Sequence, residues 1–290
     1  MQQLAARDSS ALSLALVGEA GTYMLRPDIS IPAFEHAIPT FILMGGRAAE
    51  RQLTVFAEVY HQAGRYDREL DLLTRNESAF RDVGVFRARK LRAYGGSASR
   101  ELAISLADTL LRSTDDSTGA AVMRVTTSAQ EFRAHGDTAT AARLLAMNRA
   151  WIAAHPQRAS SPDRQLSEGV LFLLTGSSDS AMARFTAALA KTNGIEAAGY
   201  LGIALVAHGD SVRARTIADS LGAMTRPWLF GNHTYWRAAI VGAIGDRDLA
   251  TRLLQKSYGE GQYMDEWHFT PALNAMRGYA PFDLLVTPRR

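Results

Sequence analysis

The chain has 290 residues, 47% of them hydrophobic and 21% charged, with a net charge of +3 at neutral pH. That is enough apolar chain for one large or two ordinary domains, and too apolar for a disordered state. Without cysteine, disulfides, thiolate metal sites and a cysteine nucleophile are excluded.

No stretch approaches the roughly 20 apolar residues of a membrane helix. The apolar run Ala11 to Val17 is short and preceded by one basic residue, Arg7, so no export signal is read and a cytoplasmic location is expected. With 48 alanines and nine prolines, the composition favours helices. The 29 Arg and three Lys are nearly balanced by 29 acidic residues, so bulk charge does not call for nucleic acid.

One local plan recurs along the chain: an apolar or aromatic anchor, three residues, a glycine, then a second helix-like run. A faint first copy uses Val17-Gly18, with Phe34 and Ala37 following and a less regular turn through Arg26-Pro27-Asp28. The second has anchor Tyr60 and Gly64. The third is again faint: Tyr94, the turn Gly95-Gly96-Ser97-Ala98, then Ala103 and Ala107. Phe132 with Gly136, Phe172 with Gly176, Leu205 with Gly209 and Val241 with Gly245 complete the series. Glycine there suits the left-handed residue that ends a helix. Asp137, Ser177, Asp210 and Asp246, next after four of these glycines, can accept from the free N–H groups of the following helix.

Nine residues after the five clear anchors stand Glu69, Ala141, Ala181, Ala214 and Ala250. Four further on are Leu73, Leu145, Phe185, Ala218 and Leu254, on the same helix face. Three before the anchors come Ala57, Ala129, Gly169, Gly202 and Ala238. Small residues thus fall where two helices must cross. Successive registers lie about 39, 34, 38, 40, 33 and 36 residues apart, the length of a helical-hairpin repeat. The predicted fold class is all-α: about seven helix-turn-helix hairpins stacked into a solenoid.

The pattern resembles the tetratricopeptide repeat family over about residues 10–258. Its clearest copy is Phe56-Ala57-Glu58-Val59-Tyr60 with Gly64-Arg65-Tyr66 and Leu70, and Ala181, Phe185 and Ala188 match the family's second helix. The usual early Trp and regular unit-end Pro are missing, several units exceed 34 residues, and Glu69 replaces a small residue. The chain is therefore similar to divergent members found in bacterial regulatory proteins. The resemblance implies a right-handed superhelix with first helices lining a concave groove. Carrying over the family's groove positions gives Arg51, Thr54, Glu58, His61 and Gln62, then Arg92, then Thr126, Gln130 and Arg133. Later units give Leu166, Val170, Leu173, Ile203, Val206 and Tyr235. Such a groove is polar in the middle and apolar toward the carboxyl end, suited to a peptide with an apolar stripe and an acidic patch. The Lys and Asn set of the family's chaperone-tail clamp is absent from these positions.

Residues 1–257 are expected to form the solenoid and 258–290 a cap over its last hairpin, with short helices over Thr270–Arg277 and Pro281–Val286. Residues 1–10 either complete a first helix or join a preceding part of a longer protein.

Chemistry is less legible. No G-x-S-x-G elbow, H-E-x-x-H or phosphate-loop G-K-[ST] occurs. The seven histidines, His36, His61, His135, His155, His208, His233 and His268, contain no i, i+4 pair. His135 and His208 each precede a turn glycine, where a helix carboxyl end favours a partly positive ring. Asp265-Glu266-Trp267-His268 is the one dense polar cluster. The run Arg87-Ala88-Arg89-Lys90-Leu91-Arg92, with Arg81 upstream, reads as a solvated surface. The expected protein is a non-catalytic interaction scaffold without cofactor or metal, binding a protein or peptide and neither membrane nor nucleic acid. The alternatives are the sensory half of a larger signalling protein (a transcription regulator, kinase or nucleotide cyclase), and a small-ligand receptor or enzyme.

Overall fold

The computed structural model describes residues 10–80, 82–112, 119–156, 161–192, 194–263 and 267–288. The described residues form fifteen α-helices and no strand. Fourteen of the helices pair into seven successive hairpins. These are α1 (Ala11–Tyr23) with α2 (Pro27–Met44), α3 (Gly46–Gln62) with α4 (Tyr66–Arg75), and α5 (Val83–Gly96) with α6 (Arg100–Arg112). Next come α7 (Ala120–Ala134) with α8 (Thr138–Ala154) and α9 (Pro162–Leu174) with α10 (Ser178–Thr192). The last two are α11 (Ile195–His208) with α12 (Ser211–Gly222) and α13 (Asn232–Ile244) with α14 (Arg247–Gly259). The fold is an all-α solenoid.

One backbone bond closes every hairpin. The N–H five residues after the anchor donates to the anchor's carbonyl: Arg65 to Tyr60, Asp137 to Phe132, Ser177 to Phe172, Asp210 to Leu205 and Asp246 to Val241, at 2.8–3.2 Å. The glycine between them has positive φ in all five, from 67° to 113°. The two faint copies make the same bond without glycine. Arg26 donates to Gly21 around Leu25 (φ 52°), and Ser99 donates to Tyr94 around Ala98 (φ 56°). The Asp137, Asp210 and Asp246 carboxylates then cap α8, α12 and α14 by accepting from Thr140, Arg213 and Leu249 N–H.

The small positions do what their spacing predicts. Ala141, Ala181, Ala214 and Ala250 are fully buried. Where the facing residue is Phe, even Ala is too large: a Cβ on Gly18 or Gly169 would stand 2.7 or 2.4 Å from the ring of Phe34 or Phe185. First helices of neighbouring hairpins pack on one another more extensively than second helices do, so they form the inner layer.

Beyond α14 the chain turns back inside. A 3₁₀ helix (Pro271–Met276) and α15 (Ala280–Val286) appear where two short helices are expected. The 3₁₀ helix packs on α13, with Met276 against Gly242. The segment also reaches the opposite end of the solenoid. Tyr263 stacks on Tyr23 at 4.1 Å between ring centres, and Leu25 joins the core cluster of the last three hairpins. Trp267, Phe269 and Phe282 are buried along the way. Residues 1–9, Arg81, Asp265 and Glu266 lie outside the described residues.

Ala181→Leu is expected to overfill the α9/α10 crossing and lower stability by about 1–3 kcal/mol. Ala183→Leu, at an exposed position of the same helix, should stay within about 0.5 kcal/mol of wild type. Urea midpoints measure both, and an unchanged midpoint for Ala181→Leu would move the crossing elsewhere.

Candidate functional site

Glu58 and His61 share one face of the last turns of α3, and both point into the inner layer, where their side chains are buried. The Glu58 carboxylate is gripped by the guanidiniums of Arg89 and Arg92, three residues apart on α5. His61 Nδ1 donates to Glu69 of α4 at 2.8 Å. Its Nε2 lies 3.1 Å from Glu131 Oε1 on α7, an ion pair without the direction of a good hydrogen bond. One turn on, His135 Nε2 lies 2.9 Å from the same Glu131 oxygen and 3.1 Å from the Tyr66 hydroxyl. The returning segment completes the cluster. His268 Nε2 stands 3.8 Å from Glu131 Oε2, and Phe269 lies under the Arg92 guanidinium at 4.9 Å, a cation–π contact.

Burial alone would discharge these groups, and their neighbours decide which of them resist. Burial opposes ionisation of Glu58, yet Arg92, then Arg89 and His61, hold its carboxyl down at about 2. For His61, burial and the Arg92 charge disfavour the cation, but Glu69 and Glu131 outweigh them and raise it to about 9. Glu131, also penalised by burial, is held well below the carboxylate range by His61 and His135. His268 goes the other way. Burial, with added repulsion from His61 and Arg92, exceeds the pull of Glu131 and lowers it to about 4. Two histidines whose rings lie 5.9 Å apart are thus one charged and one neutral at pH 7. Tyr66 is pushed up to about 12, by burial first and then by Glu131 and Glu69.

A cavity of about 500 Å³ opens onto this cluster, lined by His61, Tyr66, Glu131, His135, His268 and Arg277 among others. Two smaller depressions lie nearby. One, about 260 Å³, lies between α5 and α7 and is lined by Arg89, Arg92, Arg124 and Ser128. The other, about 340 Å³, is walled by Tyr200, Trp236, Tyr263, Trp267 and Phe269. Met123 and Thr127 line both, so the two depressions are neighbours on this face.

The residues predicted to line a groove are distributed among these features. Glu58, His61 and Arg92 come together in the charge cluster. Gln62 and the exposed Arg133 border its cavity. Gln130 donates to Asn274 Oδ1 of the returning segment at 3.1 Å. Thr126 is buried and accepts from Asn148 Nδ2. Arg51 is exposed and pairs with Glu19, while Thr54 bonds back to the Glu50 carbonyl. Val170 and Tyr235 are buried in the apolar core, and Leu166, Leu173, Ile203 and Val206 pack half-buried against it. Only Tyr235 of these apolar residues reaches the aromatic depression.

Glu69, Glu131, His268 and Arg89 escape the sequence pattern. Glu69 showed as the one acidic residue in a column of alanines, and His268 and Arg89 lay in the polar and basic runs without a role, while Glu131 left no sign. Arg89 and Arg92 correct the reading of their basic run as a solvated surface, since both turn inward onto Glu58. His135 caps α7 as expected and also serves Glu131.

The depressed Glu58 value fixes a sign. It lies below the ordinary 4.5, so its stabilisation is complete above pH about 4.5 and is lost as pH falls toward 2. The displacement corresponds to about 3 kcal/mol. Glu58→Gln, which leaves Arg92 buried without its carboxylate, should lower stability at neutral pH by about 3–5 kcal/mol. It should also flatten the fall in urea midpoint between pH 4.5 and 2. An acid limb as steep as that of wild type would assign it to other groups.

No family model matches this chain, and no curated protein matches it in sequence. Among solved structures it is similar to a tetratricopeptide repeat protein from Parabacteroides merdae ATCC 43184. The two share 13% identity with a TM-score of 0.44, over 92% of this chain and 100% of that one.

Proposed function

We propose that this protein is an interaction scaffold whose inner face holds a segment of a partner protein. The observation that supports this reading is the pair of neighbouring depressions that share Met123 and Thr127, one lined by arginines and the other by aromatic rings. At the basic end, Arg124 meets Asp82 at 3.4 Å with both side chains partly open to solvent, so a partner carboxylate can replace Asp82. At the other, the exposed Tyr263 ring stands beside the buried Trp236 and offers an apolar face with a polar edge, suited to an aromatic or large aliphatic side chain. The fitting partner is an extended or helical peptide with an acidic residue followed by an apolar anchor. Helical-hairpin solenoids bind along such concave faces because stacking gives them a long, rigid inner surface.

Selection from a displayed random-peptide library on the full chain should enrich sequences that pair Asp or Glu with a nearby aromatic or large aliphatic residue. Arg124→Glu, checked for unchanged helix content and melting temperature, should weaken an enriched peptide at least about tenfold, or ~1.4 kcal/mol. Arg213→Glu, at an exposed position of the outer helix α12, should leave it unchanged. Equal binding by wild type and Arg124→Glu would remove these depressions from the interaction.

A further inference from the structure

We propose that His61, Glu131 and His268 form a binding site for one divalent transition-metal ion of the zinc class. The three residues come from the end of α3, from α7 and from the returning segment, and one donor atom of each lies within 4.8 Å of the others. His61 Nε2 is 3.1 Å from Glu131 Oε1, and Glu131 Oε2 is 3.8 Å from His268 Nε2. Donors bound to one ion at about 2.0–2.2 Å in tetrahedral directions stand roughly 3.3–3.6 Å apart, so small side-chain movements suffice.

A second observation is independent of this spacing. His61 Nε2 and Glu131 Oε2 are buried polar atoms without a hydrogen-bond partner among the described residues, and both residues line the 500 Å³ cavity. Buried polar atoms are normally satisfied, so two such atoms converging on one point mark a place where a ligand belongs. The outer contacts fit as well. Glu69 accepts from His61 Nδ1 at 2.8 Å, which fixes the ring and directs Nε2 at the site, the carboxylate–histidine–metal arrangement.

The donor set selects the ion. Two imidazoles with one carboxylate suit zinc, cobalt, nickel or ferrous iron, whereas calcium and magnesium prefer oxygen ligands throughout. On binding, the ion takes the place of the His61 Nε2 proton, which leaves to solvent. Three protein ligands leave one position facing the cavity, where Arg133 and Arg277 line the wall. Water or a small anion would complete the shell there. This site rests on neither the neighbouring depressions nor a peptide partner.

The test uses the full chain, stripped with chelator and titrated in mildly alkaline buffer with Zn²⁺, and in parallel with Co²⁺ for its visible absorption. Wild type should take up one ion per chain, with a Co²⁺ spectrum of histidine ligation and a raised melting temperature. His268→Ala removes a partly exposed ligand from the returning segment, and it should abolish the stoichiometric site while remaining folded by circular dichroism. Glu69→Gln should weaken binding about 10–100-fold, and His36→Ala, at an exposed position, should change nothing. No uptake by wild type, or equal uptake and affinity in wild type and His268→Ala, would overturn the proposal.

Discussion

Everything in this molecule depends on a six-residue turn that ends one helix and starts the next. Its single backbone bond, from the residue five past the anchor to the anchor carbonyl, recurs in all seven hairpins at 2.8–3.2 Å. The bond demands one residue with positive φ, and that residue sets the direction in which the second helix leaves. With direction fixed, the positions three before and nine and thirteen after the anchor meet at the crossing. Small residues there let the helices approach, and repetition of one angle stacks the hairpins with their first helices inside. Leu25 and Ala98 keep this geometry at a strain of ~1–2 kcal/mol each. The turn is therefore conserved within the molecule even where the glycine is not.

That distinction explains what the sequence reveals. The hairpins with Gly64, Gly136, Gly176, Gly209 and Gly245 are legible because glycine reports the conformation directly. The two built on Leu25 and Ala98 look faint because the same conformation is held by residues that do not advertise it. The charge cluster is harder still. His61, Glu131 and His268 have no meaningful spacing, because stacking of the hairpins and the reversal of the chain after α14 bring them together. Glu69 was visible as an exception to a rule, and its cause lies on another helix: the space an alanine would leave beside His61 is filled by the carboxylate that holds the ring.

The returning segment changes what the inner face is. A bare solenoid would present its whole concave surface to a partner. Here Trp267, Phe269 and Asn274 already occupy much of it, and Gln130 and Arg92 are bonded or stacked to this chain's own residues. Tyr23 on Tyr263 ties the first hairpin to the last. The interior is consequently divided into a polar cavity at the charge cluster and a pair of neighbouring depressions beside it.

The boundary between the two is a pair of consecutive residues. His268 faces Glu131 on the cavity side, while Phe269 lies against Arg92 and lines the aromatic depression. Arg92 in turn holds Glu58, and its charge acts on both His61 and His268. Arg92 therefore belongs to both sides, stacked on Phe269 and paired with Glu58. The returning segment is thus less a lid on the last hairpin than a wall with two faces, the His268 side lining the polar cavity and the Phe269 side lining the aromatic depression.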